Sequence, residues 1–253
     1  MLKKTNVSVI IPTYNQKQEY LDCAIKSALN QIHKPYEIIV VNDGGNAIIP
    51  IEHPLVYYFE KEENGGTASA LNYGINEASG DYISWLSSDD FFYPHFLSSH
   101  IMNLVHFKNE TLISYCGFSE IVVDDYGNEL SVKDYKPPFE NNIRGPYGIF
   151  SKDWHSHLLM NLSQTSCQFN GCCFLIHKSI INDIGEFDIN NKFTQDFQYW
   201  LRVSKKYNLA VLPQILLCRR EHRGRTQFVW NKEEFMVQRE KEMKDMKNTY
   251  LFH

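Results

Sequence analysis

The apolar positions of this chain alternate between a strand rhythm and a helix rhythm. Val7-Ser8-Val9-Ile10-Ile11-Pro12 is a β-branched run closed by proline and predicts a buried strand. From Glu19 to Gln31 the apolar residues Leu21, Ala24, Ile25, Ala28 and Leu29 recur at helical spacing. Glu37-Ile38-Ile39-Val40-Val41 predicts a second buried strand, stopped by Asn42-Asp43-Gly44-Gly45. Leu55 to Phe59 reads as a third strand and Thr67 to Glu77 as a helix. Tyr82-Ile83-Ser84-Trp85-Leu86 reads as a fourth strand running into Ser87-Ser88-Asp89-Asp90, with a helix at Phe96 to Phe107. This alternation predicts an α/β fold with a mostly parallel, open, Rossmann-like sheet flanked by helices. In such sheets ligands bind outside the carboxyl ends of the strands. Those ends carry Pro12-Thr13-Tyr14-Asn15, Asn42-Asp43-Gly44 and Asp89-Asp90, so polar and acidic residues converge on one rim.

The second half is patterned differently. Leu112 to Val123 is strand material, and Asp124 to Lys152, with Lys136-Pro137-Pro138 at its centre, reads as a long surface loop. Gly171 to Ile176 predicts a short strand, Lys178 to Ile184 and Phe197 to Lys206 predict helices, and Leu209 to Leu217 is extended with an interruption at Pro213. Lys232 to Tyr250 predicts a charged helix with Met236, Met243, Met246 and Tyr250 on a rough stripe. That stripe packs on the domain, on a second copy as a homodimer, or peripherally on a membrane surface; its many acidic residues favour plain packing. The whole is read as one domain over residues 1–253. It has a regularly alternating half to about 110, a differently patterned half to about 226, and a helical extension beyond.

Candidate chemistry sharpens this outline. Asp89 and Asp90 are adjacent carboxylates that repel each other unless a cation or hydrogen-bond donors compensate. Mg2+ or Mn2+, held by one or two carboxylates and substrate phosphates, is one answer; a turn capping the next helix is the other. Asp43 lies in a Gly-rich turn where Asp is common for local reasons. Gly65-Gly66 either admits a ligand close to the backbone or makes a plain turn. Asp196 is either a general base over an acceptor hydroxyl or a helix cap. His222 stands among Arg219, Arg220, Arg223 and Arg225, which is either a phosphate clamp or a solvated basic loop.

Composition narrows the classes. Hydrophobic residues make up 43% and charged residues 22%, as in an ordinary globular protein. A net charge of -5 argues against a nucleic-acid partner. The six cysteines show no zinc spacing and read as buried thiols in a reducing compartment. No stretch approaches the roughly 20 apolar residues of a membrane span, so a cytoplasmic location is expected, at the inner face of a membrane if the terminal helix docks there. A dinucleotide-dependent oxidoreductase needs Gly-x-Gly-x-x-Gly after the first strand, where this chain has Pro12-Thr13-Tyr14-Asn15.

Taken together, the motifs resemble the family 2 glycosyltransferases, which have the GT-A fold. Val7 to Asn15 resembles the family's opening strand, and Val41-Asn42-Asp43-Gly44-Gly45 its Val-Asp-Asp-Gly-Ser turn. Asn64-Gly65-Gly66 through Ala70-Leu71-Asn72-Tyr73-Gly74-Ile75 and Gly80-Asp81-Tyr82-Ile83 through Asp90 resemble the next two motifs. Gly185-Glu186-Phe187-Asp188 with Gln195-Asp196-Phe197-Gln198-Tyr199-Trp200-Leu201-Arg202 resembles the acceptor-side motif. The likeness runs from Val7 to Thr226. It implies a metal-dependent inverting transfer from a nucleotide-sugar donor to a saccharide or lipid-linked saccharide acceptor, as in the synthesis of a surface polysaccharide. Uracil would be the commonest base, with thymine and guanine as alternatives. Pro12, Thr13, Tyr14, Asp43, Asn64, Gly66, Asn72, Ser88 and Asp89 would line the donor site. Asp89, Asp90 and His222 would hold Mn2+ or Mg2+, Asp196 would be the catalytic base, and Gly171, Cys172 and Trp200 would face the acceptor. Ser87, Asn42 and Gln195 depart from the family pattern, which keeps open an inactive module of the same fold that binds a nucleotide sugar or a protein partner.

Overall fold

The computed structural model describes residues 5–107, 111–137, 149–151, 154–163, 169–224 and 232–251. In chain order the strands are β1 (Val7–Thr13), β2 (Glu37–Asn42), β3 (Val56–Glu60), β4 (Tyr82–Trp85), β5 (Phe91–Phe92), β6 (Ile113–Val123), β7 (Glu129–Tyr135), β8 (Ile149–Ser151), β9 (Phe174–His177) and β10 (Leu209–Glu221). The helices are α1 (Gln18–Leu29), α2 (Gly66–Glu77), α3 (Phe96–His106), α4 (Trp154–Ser163), α5 (Lys178–Ile184), α6 (Gln195–Ser204) and α7 (Lys232–Leu251). The strands form one sheet in the order β3-β2-β1-β4-β9-β6-β10-β5, with β7 added beside β6 and β8 beside β10.

β1, β2, β3 and β4 are mutually parallel, and β6 and β10 run the same way; β9 and β5 run against them. The expected mostly parallel α/β sheet is what forms. Its centre is buried on both faces. β2 has no exposed residue, and Val7, Val9, Ile10 and Ile11 of β1 are fully covered. That is why these strands read as continuous apolar runs rather than alternating ones. α1 covers the sheet with Tyr20, Leu21, Ala24, Ile25 and Ala28, the spacing of a single helical face.

Two expectations are corrected. The stretch from Asp124 is not a loop throughout: Glu129–Tyr135 pairs antiparallel with β6 as β7. The connection is a tight turn in which the Asp124 carboxylate accepts the N–H groups of Tyr126 and Asn128 while Gly127 takes a φ of 86°. Pro138, the end of the Lys136-Pro137-Pro138 run, lies outside the described residues. The interruption expected at Pro213 affects the pairing register and does not break the strand. β10 continues to Glu221, and the pairing register with β6 shifts between Val211 and Ile215, which absorbs a residue with no N–H to donate.

The two halves meet at an aromatic core. Trp200 of α6 stacks on Trp85 of β4 at 5.4 Å and on Phe174 of β9 at 3.6 Å, and Phe187 stacks on Tyr199 at 4.0 Å. This packing fixes α6 against the strand ends that form the rim. Among the described residues, no helix is long and apolar enough to cross a membrane.

Candidate active site

The rim begins where β1 and β2 end. The Thr13 carbonyl accepts the Asp43 N–H at 2.9 Å, and the chain then turns at Asn15, which has a φ of 49°. Tyr14 is 51% exposed beside this turn, a free aromatic face at the strand end. Asp43 itself is buried, and its carboxylate is well supplied with donors. Lys61 pairs with it, and the N–H groups of Gly65 and Gly66 donate to it, the latter at 2.7 Å. These N–H groups open α2, so a carboxylate sits where the helix dipole favours one. Gly44 is required here: its φ is +69°, and a Cβ would stand 2.6 Å from the Asn64 nitrogen. Asn64 in turn accepts the Gly66 N–H at 3.1 Å.

The second cluster follows β4. Asp90 Oδ1 accepts the backbone N–H of Arg220 at 2.9 Å, and Arg220 Nη1 donates to the Asp89 carbonyl at 2.7 Å. Asp89 Oδ2 lies 3.1 Å from His222 Nε2. The Gly224 N–H donates to His222 Nδ1 at 3.1 Å, so a neutral His222 carries its proton on Nε2 and donates to Asp89. Ser88, also buried, lies in this same turn.

The chemistry of this donor set fits a hard divalent ion in part. Asp89 and His222 present a carboxylate and an imidazole to one point, a mixed O/N pair suited to Mn2+. For His222 to ligate through Nε2, its proton must leave or move to Nδ1, releasing the Gly224 N–H. Asp90 is placed differently from expectation, since Oδ1 is turned to the Arg220 backbone. Among the described residues no group of three or more His, Cys, Asp and Glu side chains is arranged to hold a metal. Asp89 and His222 would therefore hold the ion as a pair, with substrate phosphates completing the shell.

The basic cluster is not an open phosphate clamp. Arg219 pairs with Glu120 and Glu221, and Arg223 with Asp125. The Arg220 guanidinium lies 4.4 Å from the Tyr20 ring centre. Arg225 lies outside the described residues.

The third cluster comes from the other half. Asp196 is the second residue of α6 and keeps part of its surface open to solvent. Protein nevertheless surrounds the carboxylate closely, and this burial raises its pKa; the N–H groups of Phe197, Asp196 itself and Gly171 and the charge of Arg219 act the other way. A Cβ at Gly171 would stand 3.0 Å from Asp196 Cβ and Oδ2, so only glycine fits there without displacing the carboxylate. Next to it, the Cys172 thiol lies 3.3 Å from Ser87 Oγ. Burial first, and then the charges of Asp90 and Asp196, push Cys172 up to about 12. Cys172 thus forms a neutral floor between the β4 turn and Asp196. Its N–H is held at 2.9 Å by Asn170, a residue with no recognisable motif around it.

Two assigned residues serve the scaffold. Trp200 is 0% exposed inside the aromatic core and does not face an acceptor. Asn72 donates to the Phe187 carbonyl and accepts the Phe187 N–H, both at 2.9 Å, so its amide ties α2 to the loop before α6.

A family model described as glycosyl transferase family 2 matches residues 8–185. The chain belongs to that family. The match to the family 2 model ends before Asp196 and His222. An uncharacterized glycosyltransferase of Rickettsia typhi is 35% identical over 224 residues, covering 87% of this chain and 65% of the relative. One of Haemophilus influenzae is 26% identical, covering 90% of this chain and 69% of its own length. The chain thus spans just under two thirds of the Rickettsia relative's length. Among solved structures, S. aureus TarS 1-349 in complex with UDP aligns with a TM-score of 0.56 and 16% identity, covering 87% of this chain and 61% of TarS. That likeness carries the fold alone, and places this family 2 chain among GT-A proteins.

Proposed function

We propose that the protein transfers a sugar from a nucleoside diphosphate, UDP first among the candidates, to a hydroxyl of a saccharide or lipid-linked saccharide, with inversion at the anomeric carbon. The observation that carries this reading is the place of the Gly171–Cys172 segment: the Cys172 thiol lies 3.3 Å from Ser87 Oγ in the turn after β4, and a Cβ at the adjacent Gly171 would stand 3.0 Å from Asp196. A donor-side carboxylate turn and a solvent-accessible carboxylate base are thereby brought to one short segment, as a single displacement requires. The UDP-bound TarS neighbour supports a uridine nucleotide.

In this reading Tyr14 stacks on the base, and the rim built by Asp43 and the Gly65–Gly66 turn supports the nucleoside. Asp89 and His222 would hold Mn2+ or Mg2+, with the donor's phosphates completing its shell. When bound, the ion would neutralise the charge that develops on the leaving group. Asp196 accepts the proton of the acceptor hydroxyl, and its raised pKa makes it a stronger base than an ordinary aspartate once ionised. Gly171 keeps space free beside that carboxylate. The saccharide is proposed to belong to a surface polysaccharide.

Isothermal titration with UDP, GDP and dTDP, each with Mn2+ and with EDTA, tests the donor side. Tight, metal-dependent binding of one nucleotide is expected. Absence of binding by all three would overturn it. Ser87, Asn42 and Gln195 favour a second reading, a nucleotide-sugar-binding module without transfer. It would appear as UDP binding with no release of UDP from any UDP-sugar.

A further inference from the structure

We infer that Glu242 of α7 is a positioning residue for Asp196, reaching across from the C-terminal helix to clamp the segment from which the base projects. This inference rests on the transfer reading above. Glu242 is a buried carboxylate, and its partners outside α7 lie in one three-residue stretch. The Lys192 N–H donates to Oε1 at 2.9 Å, the Phe193 N–H to Oε2 at 3.1 Å, and the Thr194 hydroxyl to Oε2 at 2.8 Å. Gln238, one turn earlier on α7, donates to Oε1 at 3.0 Å and holds the carboxylate in place.

Thr194 is the N-cap of α6, yet its own side chain makes no capping bond to the helix. Glu242 supplies a negative charge at this helix N-terminus from a distant segment, where the dipole favours it. Asp196 follows two residues later, packed so closely on Gly171 that a Cβ there would stand only 3.0 Å from it. A shift of the helix start therefore moves the base directly, and displacement of a reacting group by about 1 Å costs on the order of a hundredfold in rate. α7 is held in register by Met243 and Met246, both buried, and by Phe235, whose ring meets that of Phe193 at 4.6 Å. Phe235, Glu242, Met246 and Tyr250 share one helical face, so the grip runs along one side of the helix. The rest of α7 is mostly solvated.

The test compares the full chain with E242Q, T194V, D196N and the double variant D196N/E242Q. Glutamine keeps the shape of Glu242, but the two N–H donors address different oxygens, so its amide satisfies only one of them. Release of UDP from a panel of UDP-sugars gives kcat and KM, and titration with UDP reports the donor side. Expected for E242Q is a kcat at least tenfold lower, with KM for the sugar donor and UDP affinity within about twofold of the wild type. T194V, which removes only the hydroxyl bond, should show a smaller loss of the same kind. D196N/E242Q should be no slower than D196N, because two groups acting through one step are not additive. A loss in the double variant equal to the product of the single losses overturns the inference. So does a fall in UDP affinity that tracks kcat, which marks general destabilisation. If E242Q does not fold, T194V alone is read by the same criteria. If the wild type releases no UDP from any sugar donor, the transfer reading fails separately. The clamp is then judged by amide exchange over residues 186–197: unchanged protection at Lys192 and Phe193 in E242Q or T194V overturns it, and at least tenfold faster exchange there sustains it.

Discussion

His222 Nε2 stands 3.1 Å from Asp89 Oδ2, although 133 positions separate them in the chain. The contact joins the end of β10 to the turn after β4, and Tyr20 of α1 packs edge-on against the imidazole at 4.9 Å. Three elements therefore fix the ring. Nδ1 accepts the Gly224 N–H and Nε2 faces the Asp89 carboxylate, so the imidazole is held at both nitrogens, and ligation of an ion through Nε2 would require the Gly224 bond to be released.

Replacing His222 by alanine should weaken UDP binding about ten- to a hundredfold in the presence of Mn2+. Affinity in EDTA should stay as in the wild type. Titration of H222A under both conditions checks this. Equal affinity with and without the substitution would make the Asp89 contact purely structural.

D196N should lower kcat by about a hundred- to ten-thousandfold while leaving UDP affinity intact. Because burial raises the Asp196 pKa, the wild-type rate should fall at acidic pH with a midpoint above the ordinary aspartate range. The stability consequence has the opposite direction. A group whose pKa is higher folded than unfolded favours folding at low pH, and that contribution is lost as pH rises through the folded value. D196N removes the ionisation, so it should melt above the wild type near neutrality, and the gap should shrink at pH values below the unfolded aspartate range. Melting curves of both proteins across that range decide the point.

N72A leaves the buried Phe187 N–H and carbonyl without their partners, and should cost about 2–4 kcal/mol in urea unfolding. W200A should cost about 3–5 kcal/mol, as expected of a large aromatic removed from a core. A milder W200F should leave the acceptor KM unchanged, since the ring is enclosed by Trp85 and Phe174. A specific rise in acceptor KM in W200F would return Trp200 to the acceptor surface.

Much of the nucleotide half was legible because its signals are local. β1 and β2 are short β-branched runs and β4 a short apolar one, each ending in turn residues, and their alternation with helices implies parallel pairing. The rim residues Thr13, Asp43 and Asp89 follow directly from where those runs stop. β7 is weakly marked: Leu130 and Val132 alternate with Glu129, Ser131 and Lys133, but both are exposed and only two apolar residues alternate beside the turn at Asp124 to Asn128. Trp200 was misread for a related reason. Its position one turn after Asp196 suggests a shared face, but Trp85 and Phe174, from two other strands, close over it.

Neighbouring residues in the chain were enough to establish the alternation of strands and helices, the acidic rim and the family resemblance, because backbone propensity and turn chemistry act over a few residues. The partners of each polar group were not. Ser87 meets Cys172 across 85 positions, Asn72 meets Phe187 across 115, and Asp89 meets His222 across 133. Lys61 beside Asp43 and Glu242 beneath α6 are likewise invisible until the sheet and the aromatic core bring their segments together. Hydrogen bonds and charges act over about 3–4 Å, so only packing of the whole chain decides which carboxylate faces a donor, which faces a metal ion, and which stays open as a base.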